Sequence, residues 1–453
     1  MFKKIEIWIL YLVVLLGIPI TIGFGSVVRY QMLGGTKLGK ISQTALFLAE
    51  LPTNLKKVLT FKNDLLVTDR FPSLDGFDGT PNYKETYLLL SKYNGDSREG
   101  IVELIDLRSF KVLHTWNPDI DKFNKSVKKI DEFKNLNRDV NNFRFILKKP
   151  KLTKDGGLLF TYNSPIRKID ACSNLVFQNT NDIFHHSIEI DTEGNFWVAS
   201  YLYPQSLDIE KVGRGIPQKG GYYEDAIVKL SPNGEILFER SVAQIFIDNG
   251  LEYLLFSVGD MAFKKDPIHL NDIQPVDFDG EFWKKGDLFL SLRHQSMVLL
   301  YRPSTNKIIW KGTGPFFHQH DVDILNDHKI SVFNNNSKIF VGGDIVDGNN
   351  EVIIYDFKKN QYTSYLKDSL IKNDVRTITE GRSQILPNGD LFVEETNYGR
   401  TLYFNSDGSL RWTHVNRADK GGTYGLGWSR ILYNKNDINN VNNFLKLRNK
   451  CDN

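Results

Sequence analysis

The chain has 453 residues, 41% of them hydrophobic, which is too long for one small core and suits an array of repeated β units. Lysine and arginine (57) nearly balance aspartate and glutamate (54), so the net charge of +3 lends no support to nucleic-acid binding. Two cysteines, Cys172 and Cys451, exclude a disulfide-stapled small scaffold; whether they pair depends on geometry that spacing does not give.

From Ile7 to Val28 no residue is charged. The run is long enough to cross a bilayer as a helix, and Lys3 and Lys4 precede it. An uncleaved anchor over residues 1–28 is the primary expectation, with a cleaved signal peptide as the alternative. The leading lysines favour a cytoplasmic tail and a body on the periplasmic or extracellular side, although Arg29, Lys37 and Lys40 pull the other way. Residues 29–58 carry helix-spaced apolar positions punctuated by Pro52 and are expected to form a helical neck.

From Leu59 onward the pattern changes to short strands separated by turns. Six units follow, among them YLLLSKY, GGLLFTYN, GNFWVAS, GDLFLSLR, HKISVFN and GDLFVEE. Repeated short strands with no Pro/Gly/Ser-rich linker predict an all-β fold, a closed six-bladed β-propeller over 59–435 with a tail at 436–453. WSRILYN, near the end, is placed to return to the first unit and close the ring. Trp310 and Trp412 recur at strand ends and read as packing between blades. The basic cluster from Lys122 to Lys154 reads as a solvated face.

Histidines recur at one point of successive units: His186-Ser-Ile-Glu-Ile190, His269-Leu-Asn-Asp-Ile273 and His320-Asp-Val-Asp-Ile324, with Arg382-Ser-Gln-Ile385 shifted by one. Repeats stack, so these side chains should converge on one spot. Arg293 and His294 end an alternating strand just upstream of His318 and His320. Convergent histidine and arginine make an anion site with acid–base capacity. His185, His294 and His318 neighbour these positions and read as supporting residues, since adjacent strand residues face opposite ways. Arg382 shares a repeat position with Trp428, so one of the two would bind an anion and the other stack on an aryl ring, with Tyr424 a further residue of that kind. Three histidines from separate repeats would also suit a metal, but Arg293 repels a cation and Asp321 and Asp323 fall on the face opposite His320. Neither a metal nor a cofactor is therefore expected.

The ordered set His185-His186, His269-Leu-Asn271, Ser291-Leu-Arg-His-Gln-Ser296 and Gln319-His320 resembles the bacterial arylsulfotransferases of the arylsulfate sulfotransferase type, over about residues 140–432. The resemblance implies a six-bladed propeller that moves a sulfuryl group from a phenolic sulfate ester to a hydroxyl acceptor, without a nucleotide donor and through a sulfated histidine. It implies His320 as nucleophile, with His269, Asn271 and Arg293 holding the sulfate and His186 as a further histidine. In this reading a second histidine near its ordinary pKa protonates the leaving phenolate. The rival functions are a propeller that binds an anion without catalysis and a propeller that serves as a protein-interaction platform.

Overall fold

The computed structural model describes residues 6–32, 35, 37–59, 65–130, 133–208, 222–257, 263–448 and 451. Two compact units emerge: Met1–Asn63 with Ile209–Tyr222, and Asp64–Asp208 with Tyr223–Asn453.

The first unit is helical. Helix α1, Ile7–Met32, is long and apolar enough to cross a membrane, a property that a signal sequence shares. None of its described residues is buried, and its large apolar side chains are exposed. Helix α2, Gly39–Leu59, accommodates Pro52 within its length. The two helices are linked by Ser42, whose hydroxyl donates to the Gln31 side chain at 2.5 Å. Within the segment expected to form a helical neck, residues 29–32 end α1 and residues 39–58 lie in α2.

The second unit is predominantly β and propeller-like. Leu270–Pro275, Leu288–Leu292, Met297–Arg302 and Lys307–Gly312 pair in sequence order as one four-stranded sheet. Val322–Ile324, Lys329–Asn334, Glu351–Asp356 and Gln361–Tyr365 form a second. A third is closed by the C-terminal strand: Arg430–Leu432 pairs antiparallel with Tyr87–Asn94, Arg430 opposite Leu89. WSRILYN thus returns to the strand that holds YLLLSKY. A five-stranded sheet adds the early strand Gly76–Gly79 to the edge of the sheet built from Arg382 to Val415. A seven-stranded sheet is organised around the 16-residue strand Leu175–Ile190.

The hairpins follow from turn chemistry. Asp191 receives the Asn195 N–H on its carboxylate at 2.9 Å, and Gly194 takes the φ of 86° that the tight reversal needs. Large rings fill the spaces between sheets. Trp412 is fully buried and donates its indole N–H to Asn82 at 3.0 Å, and Trp310 stacks on Tyr355 with ring centroids 4.9 Å apart.

The C-terminal segment is part of the body. Helix α3, Lys435–Leu447, buries Val441 and Phe444, and Phe444 lies 4.8 Å from Trp116. Cys451 beyond it is bonded to Cys172, 279 positions earlier. A cross-link closing so long a loop contributes on the order of 2–4 kcal/mol, chiefly by restricting the unfolded chain.

Candidate functional site

One backbone conformation recurs ahead of the innermost strands. Lys149, His186, His269, His318, Glu380 and Trp428 all have positive φ, between 53° and 66°. Such a conformation is uncommon for residues with a Cβ, and strained positions cluster where side chains are aimed at a ligand. For His186 the cause is visible in the register. Ile188 lies opposite Val198 and His185 opposite Ala199, so His186 and Ser187 form a bulge that turns the imidazole out of the ladder.

A cavity of about 240 Å³ opens at this level. His186, His269, Arg293 and His320 line it, so four sequence-predicted residues meet there. Lys149, Glu380, Thr379, Tyr162, Asn163 and Tyr201 complete the wall.

Hydrogen bonds set the protonation of the histidines. His320 is buried, with Nδ1 2.7 Å from Asn335 Oδ1 and 3.1 Å from the His318 carbonyl. Both partners accept, because the Asn335 amide nitrogen donates to the Thr377 and Glu380 carbonyls. Nδ1 therefore carries the proton. Nε2 keeps the lone pair and accepts the Glu380 backbone N–H at 2.9 Å. His269 Nδ1 donates to the Asp266 carboxylate at 2.6 Å. The same Asp266 holds His294 through its backbone carbonyl, 2.7 Å from Nδ1. His294 Nε2 accepts from Arg293 Nη1 at 2.7 Å, and Arg293 Nη2 donates to Asp344 at 3.3 Å. Asp266 thus fixes two imidazoles, and through them the guanidinium. His186 Nδ1 lies 2.6 Å from Nδ1 of His185, whose ring stacks on Tyr201 at 3.9 Å.

Burial, then the positive charge of Lys149, holds His186 well below the usual histidine pKa. Burial, then Arg293, does the same to His320. Burial takes His294 down to about 4. These imidazoles are neutral at pH 7, which suits a nucleophile. Neither His186 nor His294 is therefore the second histidine near its ordinary pKa that was expected to donate a proton.

Four sequence-predicted binding residues lie outside the cavity lining. Asn271 is fully buried and donates to the Gln319 carbonyl at 3.1 Å, tying neighbouring sheets together. Arg382 faces Asp321 at 3.7 Å and Asp323 at 4.0 Å, in a separate buried charge cluster. The repeat alignment was two residues off: Glu380, not Arg382, shares the positive-φ position with Trp428. Trp428 is buried beneath Lys149, whose Nζ is 4.5 Å from the ring centroid. Tyr424 packs on Tyr93 and pairs with Leu66 in a small sheet.

Sequence reasoning missed Lys149, Glu380 and Asp266. Lys148 and Lys149 belong to the cluster read as a solvated face, yet they are 7% and 2% exposed. Lys148 is ion-paired with Glu380. The available signal was position: Lys149-Pro150-Lys151 stands ahead of an inner strand just as His186-Ser187-Ile188 does.

Asp266, His269 and His294 each offer an atom within 4.8 Å of the others and could hold a cation by distance. His269 Nδ1 and both His294 nitrogens already engage Asp266 and Arg293, an arrangement suited to a hydrogen-bond relay.

A family model for arylsulfotransferase (ASST) matches residues 149–417. No match was found among curated proteins. Solved structures similar to the chain include a protein of unknown function from Bacteroides caccae, at 12% identity, covering 74% of this chain and 93% of that one, with a TM-score of 0.43. A virginiamycin B lyase from Staphylococcus aureus aligns at 10% identity over 74% of this chain and 86% of that one, TM-score 0.36. Kuenenia stuttgartiensis hydrazine synthase aligns at 11% identity over 70% and 78%, TM-score 0.38. None of these three likenesses bears on function.

Proposed function

Because the chain belongs to the arylsulfotransferase (ASST) family, we propose that it transfers a sulfuryl group from an aryl sulfate ester to a phenolic or other hydroxyl acceptor through a sulfohistidine. The observation that carries this reading is the meeting of His186, His269, Arg293 and His320 around one cavity. His320 Nε2 attacks sulfur, the N–S bond forms, and the S–O bond to the aryl oxygen breaks. The acceptor oxygen then takes the sulfuryl group back from nitrogen. Attack requires Nε2 to release the Glu380 N–H, so the Thr379–Gly381 loop moves with the reaction. Arg293 spends one N–H of each terminal nitrogen on His294 and Asp344 and keeps the other for sulfuryl oxygens. His269, backed by Asp266, is a further sulfate-binding group.

The propeller in this reading has six blades over residues 59–435. The seven-stranded sheet divides at Leu175–Ile190: residues 175–179 pair mainly with Ser164–Ile169, and residues 183–190 pair with Phe196–Tyr201. Residues 1–28 anchor the protein, 29–58 form the neck, and 436–453 are a tail whose helix α3 docks on the body.

Incubating the purified protein with an aryl sulfate tests the function. Phenol release should be slow alone and should accelerate when a second phenol is added. Binding without turnover would leave an anion-binding propeller; release that no acceptor accelerates would make it a sulfatase.

In the same reading α1 is a single span and the body lies on the periplasmic or extracellular side, a side that the leading Lys3 and Lys4 favour. Protease added to intact spheroplasts should then degrade the body while cytoplasmic proteins survive. A protected body would reverse the orientation.

A further inference from the structure

The cavity contains a cation with no assigned task. Lys149 is 2% exposed and lines the cavity beside His186 and His320. Among the described residues no carboxylate reaches ion-pair distance of its Nζ, whereas the neighbouring Lys148 takes Glu380 for itself. The ammonium rests instead on the face of Trp428. A buried ammonium without a counterion is costly. A cation–π contact returns only about 0.5–2 kcal/mol of that cost. An anionic ligand in the cavity supplies the missing partner.

The reaction also needs a proton donor. When the S–O bond breaks, the electron pair stays on the aryl oxygen, and a phenolate with a conjugate-acid pKa of about 10 is a reluctant leaving group. His186 and His320 are held neutral at pH 7, so neither has a proton to give as an imidazolium. Arg293 does not deprotonate.

Resting on the arylsulfotransferase reading, we propose that Lys149 is a catalytic residue: its ammonium gives a proton to the leaving aryl oxygen and takes one back from the attacking hydroxyl. In the first half-reaction the His320 Nε2–S bond forms, the S–O bond breaks, and the aryl oxygen leaves as the neutral phenol with the Lys149 proton. In the second, the acceptor O–H proton moves to the neutral Lys149 amine, the new O–S bond forms, and the S–N bond breaks to restore His320. Protons and charge balance over the cycle, and no further reactant is needed. Burial pushes Lys149 down to about 7, near which the ammonium can both lose and regain a proton. Glu380, Asp272 and Glu394 raise it and Lys148 lowers it, while His185, His186 and His320 face it as neutral rings.

The test is the dependence of rate on the donor's leaving group. Lys149→Met should cost about 10²-fold with phenyl sulfate, in the usual range for a general acid. With 4-nitrophenyl sulfate, whose phenol is a much stronger acid and departs unaided, the loss should be below about tenfold. Lys149→Arg, which keeps the charge but not the exchangeable proton, should show the same split. In the wild type, sensitivity to the leaving group should be shallow below about pH 7, where Lys149 is protonated, and steepen above it. An equal loss for both donors, or full rescue by arginine, overturns the proposal in favour of a sulfuryl-binding cation. If a variant does not fold, the wild-type series decides: unchanged sensitivity from pH 6 to pH 9 overturns it. A wild type that releases no phenol from any aryl sulfate would instead refute the underlying function.

Discussion

Replacing His320 with alanine should abolish both the burst of phenol release and steady-state turnover, a loss of more than about 10³-fold. In the proposed mechanism the imidazole is prepared for attack in two ways. Asn335 and the His318 carbonyl hold the proton on Nδ1, which leaves the lone pair on Nε2, and burial keeps the ring neutral; the Glu380 N–H occupies that lone pair until attack. A covalent intermediate requires the donor's aryl group to leave before the acceptor enters, so wild-type kinetics should be ping-pong, with a burst matching the enzyme concentration when the second step is slow. The substitution leaves the Asn335 carbonyl and the Glu380 N–H without a partner, at a cost of about 1–3 kcal/mol each if buried, so a melting curve must accompany the assay. A folded variant with full activity would refute the assignment. If the burst survives in His320→Ala but disappears in His269→Ala, the nucleophile is His269, a second histidine on the cavity wall, whose Nδ1 is held by Asp266.

The strand repeats were legible because alternation and turn residues are local properties. GNFWVAS and GDLFLSLR are strands because their apolar positions and flanking glycines specify nothing else at that length. The histidine motif was legible in part: His186 and His269 share the positive-φ position, whereas in the next unit that position is His318, and His320, two residues on, is the one that reaches the cavity. Arg382 and Trp428 exposed the weakness of that argument. Matching the apolar residues after them hid a two-residue slip that the backbone reveals, since the positive-φ position is Glu380. Tyr424 is near Trp428 in sequence, but its neighbours are decided by the pairing of Thr423–Tyr424 with Leu66–Val67. Lys149 was hidden by a prior. Lysines in a basic run usually face water, and only tertiary closure shows that Lys148 and Lys149 are walled in by Glu380, Tyr162 and Trp428. The Cys172–Cys451 bond depends on where α3 docks, which no spacing rule supplies.

Arg293→Ala should retain the nucleophile and lose about 10²–10³ in rate, as when a preorganised oxyanion donor is removed. The guanidinium is fixed before substrate arrives: Asp344 holds one arm, His294 the other, and Asp266 holds His294. Little reorganisation then remains when negative charge shifts on the sulfuryl oxygens. Arg293→Lys should recover little of this, because a single ammonium cannot reproduce a two-armed fork bound on both sides. In the proposed mechanism the arginine acts on the group being transferred and not on the group departing. Its removal should therefore slow phenyl and nitrophenyl donors by the same factor, unlike the split expected for Lys149→Met. It should lower the rate of the burst and leave its amplitude intact wherever the first half-reaction still outruns the second. An amplitude that falls with the rate would mean that Arg293 positions His320 and does not bind the sulfuryl group. Loss confined to one class of donor would place the guanidinium at the aryl oxygen, the position assigned to Lys149.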